Sequence, residues 1–83
     1  MEIRYSKLAQ RALLRSDKRR LIREKLDALA GDWLSLSANV VRLQGREEYR
    51  LRVQNWRIVF RVEDDLLLVD EIAPRGSVYE VKR

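Results

Sequence analysis

The run Tyr49-Arg-Leu-Arg-Val-Gln-Asn-Trp-Arg-Ile-Val-Phe60 leaves the chain little choice of local fold. Apolar and polar residues alternate up to Gln54-Asn55 and away from it, which predicts a two-stranded hairpin. Asn tolerates the left-handed backbone that a two-residue turn needs. With the turn at Gln54-Asn55, Val53 faces Trp56, Leu51 faces Ile58 and Tyr49 faces Phe60, so one side of the ribbon is apolar throughout. On the other side Arg52 faces Arg57, Arg50 faces Val59 and Glu48 faces Arg61. Two arginines directly opposed cost roughly a few tenths of a kcal/mol. On a face the core does not need, such a pair points to an anion.

The rest of the composition narrows the chemistry. Eighty-three residues make one small domain with a single core. There is no cysteine, hence no disulfide and no thiolate metal site, which fits a reducing cytosol. There is no histidine either, which removes the commonest general acid–base group and metal ligand. The start Met-Glu-Ile-Arg-Tyr lacks the apolar stretch of a signal peptide, and the apolar run Leu66 to Val69 is too short to cross a bilayer. A cytoplasmic protein without a membrane partner is therefore expected. The net charge is +5, and arginine outnumbers lysine fourteen to four. Planar guanidinium favours bidentate contact with phosphate or carboxylate, so nucleic acid or an acidic protein segment is the expected partner class.

Residues 2 to 5 alternate and predict a short strand with Ile3 and Tyr5 on one side. Ser6 is a good N-cap for a helix with Leu8, Ala9, Ala12 and Leu13 on one face. Ser16-Asp17 breaks and re-caps the chain. A second helix then runs to about Ala30, burying Ile22, Leu26 and Leu29 with Leu21 at the edge, and Gly31 ends it. Lys25 falls within that stripe, so it must snorkel or the helix must be rotated. Trp33 and Leu34 are expected to fold back onto the helices. Val40 to Leu43 begins a strand, Gly45-Arg46 turns it, and the hairpin follows. Asp64-Asp65 turns into Leu66 to Ala73, apolar on both faces at first and hence interior, with no legible register. Ala73-Pro74-Arg75-Gly76 fits a type I turn, and Val78, Tyr79 and Val81 close the chain. The expected fold is α+β: an N-terminal strand, a two-helix hairpin, then three to four antiparallel strands in a twisted sheet with the helices on one face.

Among candidate sites, Glu63, Asp64, Asp65, Asp70 and Glu71 invite a metal reading. A turn at Asp64-Asp65, with Asp70 and Glu71 on opposite strand faces, explains them better. Three glycines form no phosphate-cradling loop. Arg61 is accounted for by pairing with Glu48. Arg11, Arg15, Arg19, Arg20 and Arg23 read as solubility or general attraction. Arg50, Arg52 and Arg57 could be a solvated sheet face, but that leaves like charges opposed without compensation, so a site is preferred. Arg75 sits in a turn that Pro and Gly already explain. Tyr79 reads equally well as a core aromatic or as a site residue.

Tyr-Arg-Leu-Arg-Val-x-x-Trp-Arg-Ile-Val-Phe, an acidic turn, an apolar strand and Pro-Arg-Gly-Ser-Val-Tyr together resemble the RelE/ParE toxin superfamily over nearly the whole chain. The resemblance implies the toxin of a bacterial type II toxin–antitoxin system, with two helices on a twisted antiparallel sheet. In its RelE-like branch it implies a ribosome-dependent, metal-independent endoribonuclease that needs no cofactor. Such an enzyme cleaves mRNA on the ribosome, inhibits translation and arrests growth, and its partners are a cognate antitoxin and that mRNA. The resemblance assigns catalytic roles to Arg50, Arg52, Arg57, Arg75 and Tyr79. Relatives usually carry lysine where this chain has Arg50 and Arg52. Arginine holds its proton more firmly than lysine and is a poorer proton carrier, so a lysine-as-base mechanism does not carry over. The sequence runs four residues past Tyr79, so the C-terminal helix of some relatives is not expected. Two alternatives stand beside the nuclease: a ParE-like DNA gyrase inhibitor, and a non-catalytic basic module that binds an antitoxin or nucleic acid.

Overall fold

The computed structural model describes residues 1–32 and 39–75. Strand β1 (Glu2–Tyr5) leads into helices α1 (Lys7–Arg15) and α2 (Arg19–Gly31), followed by strands β2 (Val40–Arg42), β3 (Tyr49–Val53), β4 (Trp56–Glu63) and β5 (Leu66–Pro74). The strands form one five-stranded sheet in the order β1-β5-β4-β3-β2. β1 lies parallel to β5, and every other pairing is antiparallel. The four strands after the helices thus reach the top of the expected range, and β5 is interior as its apolar faces require.

The helices cover one sheet face, α1 against β1 and β5, α2 against β1 and β3. Between them and the sheet lie Ala9, Leu13, Ile22, Leu26, Leu29, Leu51, Ile58, Phe60, Leu67 and Val69, all nearly free of solvent contact. Burying one such Leu, Ile or Phe side chain contributes about 1.5–3 kcal/mol, so this layer is the main source of stability. Tyr49 stacks on Phe60 with ring centroids 5.6 Å apart.

The helix pattern differs from the expected one at two residues. Leu8 is 74% exposed, because α1 buries only the narrow stripe of Ala9 and Leu13 with Ala12 at its edge. Lys25 is exposed while Ala30 is buried, so α2 is rotated toward Ala30 and has no cation to accommodate inside its stripe. Ser6 caps α1, its Oγ accepting from the Ala9 amide at 3.0 Å. Ser16 shapes the inter-helix turn, its Oγ accepting from the Lys18 amide at 2.9 Å. The positions assigned to Trp33, Leu34, Gly76, Val78, Tyr79 and Val81 lie outside the described residues.

The hairpin forms in the expected register, with Val53 opposite Trp56, Arg52 opposite Arg57, Leu51 opposite Ile58, Arg50 opposite Val59 and Tyr49 opposite Phe60. At its turn the positive φ, 52°, falls on Gln54 rather than on Asn55.

Strand β5 carries the larger correction. Ile58 pairs with Ile72 and Val59 with Glu71, but Phe60 pairs with Val69, so a β-bulge inserts Asp70. The buried residues of β5 are accordingly Leu67, Val69 and then Ile72, three apart instead of two. Asp70 and Glu71 therefore both lie on the sheet face away from the helices, not on opposite faces. Ser6 holds the bulge in place. Its amide donates to the Val69 carbonyl at 2.9 Å and its Oγ donates to the Asp70 carbonyl at 3.0 Å. One serine thus caps α1 and satisfies a carbonyl that the bulge removes from the ladder.

Candidate active site

The register gives the face away from the helices its geography. Its row nearest the hairpin turn runs Ala73, Arg57, Arg52 across β5, β4 and β3. The next row runs Glu71, Val59, Arg50, Val41 from β5 to β2. Opposed residues on neighbouring strands lie about 4.5–5.5 Å apart, so Arg50, Arg52 and Arg57 occupy one patch. Arg75 lies beside them, in the turn just past the end of β5. Its amide donates to the Asn55 carbonyl at 2.7 Å. That bond fastens the end of β5 to the hairpin turn, beside the arginine pair.

The four guanidinium groups are not equivalent. Arg52 and Arg75 are exposed, Arg50 is half-buried, and Arg57 is only 7% exposed. The opposed Arg52–Arg57 pair thus combines a cation held within the sheet surface with one presented to solvent. Arg50, Arg52 and Arg75 form no ion pair among the described residues. Beside them Asn39, Val41, Arg50 and Arg52 line a groove of about 250 Å³. Tyr79, the fifth expected site residue, lies outside the described residues.

At the opposite end of β4, Arg61 has a different environment. Its Nε donates to Asp70 Oδ2 at 2.9 Å, its Nη2 to Asp70 Oδ1 at 3.4 Å and its Nη1 to Glu63 Oε2 at 2.6 Å. The Asp70 hydrogen bond, foremost, holds the Arg61 guanidinium above its ordinary pKa. The expected Glu48–Arg61 pair is not formed: β3 begins at Tyr49, and Glu48 pairs with Arg46 instead. The bulge is the reason, since it turns Asp70 toward Arg61. Arg61 remains structural, with a different partner.

The basic helix residues stay apart from this patch. Arg19, Arg20 and Arg23 share a depression of about 270 Å³ with Leu14, Glu24 and Asp27, on the helix side of the molecule. Among the described residues no group of three or more His, Cys, Asp or Glu is placed to hold a metal ion. No helix among them is long and apolar enough to cross a membrane.

No protein-family model matches the chain, and no curated protein sequence matches it significantly. Solved structures do. The toxin–antitoxin complex RelB–RelE of Methanococcus jannaschii superposes with a TM-score of 0.72 at 22% identity, over 95% of this chain and 98% of that one. The RelE–RelB complex of Pyrococcus horikoshii gives 0.75 at 24% identity, over 90% and 94%. YafQ of Escherichia coli gives 0.76 at 17% identity, over 94% and 97%.

The chain has the RelE-like fold.

On that RelE-like frame, the structure brings together the four described residues that the sequence singled out: Arg50, Arg52, Arg57 and Arg75. It also adds neighbours that the sequence reading missed. Val41 comes from edge strand β2, and Asn39 from the position just before that strand; the pairing of β2 with β3 was not fixed by the sequence. Glu71 enters through the bulge, for which the doubly apolar run Leu66 to Val69 gives no signal.

Proposed function

We propose that this chain is the toxin of a toxin–antitoxin pair and an endoribonuclease that cleaves mRNA positioned on the ribosome. One observation carries the reading. On a RelE-like fold, three arginines of β3 and β4 and a fourth in the turn after β5 gather at one end of the sheet, and three of the four have no carboxylate partner among the described residues. A solvated sheet face would not need like charges placed directly opposite.

Attack of a ribose 2′-hydroxyl on the adjacent phosphorus builds negative charge on a five-coordinate centre. Fixed guanidinium donors stabilise that charge, each by about 2–4 kcal/mol by analogy with oxyanion donors. Arg52 and Arg57 bracket the scissile phosphate, Arg50 holds it from the groove side, and Arg75 neutralises the leaving 5′-oxygen. Tyr79 stacks on or orients a base. Guanidinium is a poor proton carrier, so this part of the site holds charge and positions groups. Positioning by the ribosome supplies a large share of the rate, so translating ribosomes are cut far faster than free RNA. An antitoxin that covers the arginine face silences the site, and two of the similar structures are complexes with RelB.

Induction of the chain without its antitoxin, with mapping of RNA 5′ ends, tests the proposal. Growth arrest with in-frame breaks inside codons is expected, and Arg52→Ala should abolish both. DNA damage without RNA breaks would decide for a gyrase inhibitor. Normal growth would decide for a non-catalytic module.

A further inference from the structure

A site built of arginines leaves the proton of the attacking 2′-hydroxyl without an acceptor, and the chain has no histidine to take it. The bulge at Asp70 supplies another candidate. Regular alternation from Val69 would have turned Glu71 toward the helices. The inserted residue turns it instead to the arginine face, where it pairs with Val59 in the row that continues to Arg50. It lies one strand over and two residues along from Arg57, which pairs with Ala73. Diagonal neighbours of this kind have Cα atoms about 7–8 Å apart, within reach of long side chains.

Glu71 is half-buried and makes no side-chain hydrogen bond or ion pair among the described residues. The neighbouring acids are engaged: Asp70 is bound to Arg61, Glu63 to Arg61 and Glu48 to Arg46. Among the described carboxylates on this face, Glu71 is the one beside the arginine patch with its oxygens uncommitted.

We propose, on the strength of the nuclease reading above, that Glu71 is the catalytic base that accepts the 2′-hydroxyl proton of an RNA substrate held by Arg52 and Arg57. As the proton passes to the Glu71 carboxylate, the 2′-oxygen forms its bond to phosphorus and the bond from phosphorus to the 5′-oxygen breaks. The departing oxygen, its charge neutralised by Arg75, takes a proton from solvent water, and Glu71 returns its own proton to solvent. The products are a 2′,3′-cyclic phosphate and a 5′-hydroxyl. The groove lined by Asn39, Val41, Arg50 and Arg52 then receives the strand on the far side of the scissile phosphate.

Single-turnover cleavage of mRNA on programmed ribosomes, at saturating toxin, tests the assignment. Glu71→Gln should cut the rate about 10²–10⁴-fold, the usual contribution of a general base, while affinity for RNA carrying a 2′-deoxy block at the cleavage position stays near wild type. Glu71→Gly should regain part of its activity in formate or acetate buffer. A Glu71→Gln rate within about threefold of wild type overturns the proposal, because it is far below that range. Loss of affinity in step with loss of rate also overturns it, since Glu71 would then serve binding or structure. Failure of the wild-type chain to cleave at all is a separate result, and it removes the nuclease reading itself.

Discussion

Two ends of one sheet face use the same residue type in opposite ways. Arg61, on the half of β4 away from the hairpin turn, is held by Asp70 and Glu63. Arg50, Arg52 and Arg75, near the turn, have no such carboxylate among the described residues. A guanidinium with a built-in acid is already satisfied and has little to offer an incoming phosphate. One without it keeps its donors for a ligand. Charge alone would have marked the whole face as basic, and partner geometry divides it into an end whose arginine is paired and an end whose exposed arginines are not.

The strongest way to break this division is to truncate one arginine at each end. Arg52→Ala should lower single-turnover cleavage about 10²–10³-fold, the effect of removing one donor to a developing oxyanion. Arg61→Ala should leave cleavage by the folded fraction within a few-fold of wild type and lower the melting temperature instead. Equal losses of cleavage at the two positions would erase the distinction.

Next in size is the bulge, which both ends depend on. Ser6→Ala removes the cap of α1 and the hydroxyl donor to the Asp70 carbonyl. A lost cap costs about 1 kcal/mol and a lost hydrogen bond about as much again. A thermal melt should therefore fall by about 8–16 °C in a domain of this size. A shift of only one or two degrees would show that Ser6 does not hold the bulge.

A smaller effect reports on the ligand. Arg52→Ala should flatten the salt dependence of single-stranded RNA binding by about 0.7 in the slope of log K against log salt. Arg61→Ala should leave the slope unchanged, because that guanidinium is already neutralised by Asp70.

How far these contrasts were legible in the sequence follows from where the chain alternates. Every pair of the β3–β4 ladder could be read, because six apolar residues on one side admit a single register. Arg50, Arg52 and Arg57 were legible for the same reason. Strand β5 was not. Leu66, Leu67, Leu68 and Val69 are apolar on both faces and carry no phase, so nothing announced that the alternation slips at Asp70. Two misreadings share that origin: the partner of Arg61, and the opposed faces of Asp70 and Glu71. Leu8 failed differently, since a nine-residue helix lying on a sheet buries a narrower stripe than its apolar residues could fill.

The smallest predicted effect concerns the paired end, where Glu48 sits between Arg46 and Asp70. Burial, then a side-chain hydrogen bond with Asp70, raise the Glu48 pKa above the ordinary 4.5, and Arg46 only partly opposes them. A hydrogen bond between two carboxyl groups needs one of them protonated. A carboxyl raised in this way stabilises the fold fully below its unfolded pKa and loses that contribution as pH rises through its folded value. At neutral pH the ionised Glu48 therefore works against the fold. Glu48→Gln imitates the protonated carboxyl and keeps a donor for Asp70. It gives up the Arg46 pair, but an ion pair with an exposed arginine contributes little. The Gln variant should melt slightly above wild type at pH 7, by no more than a few degrees, and the two curves should meet near pH 4. A wild type that melts higher at pH 7 would mean that Arg46 outweighs Asp70. The acids at this end would then be fully compensated, and the contrast with the arginine end would be sharper than the Glu48 pKa implies.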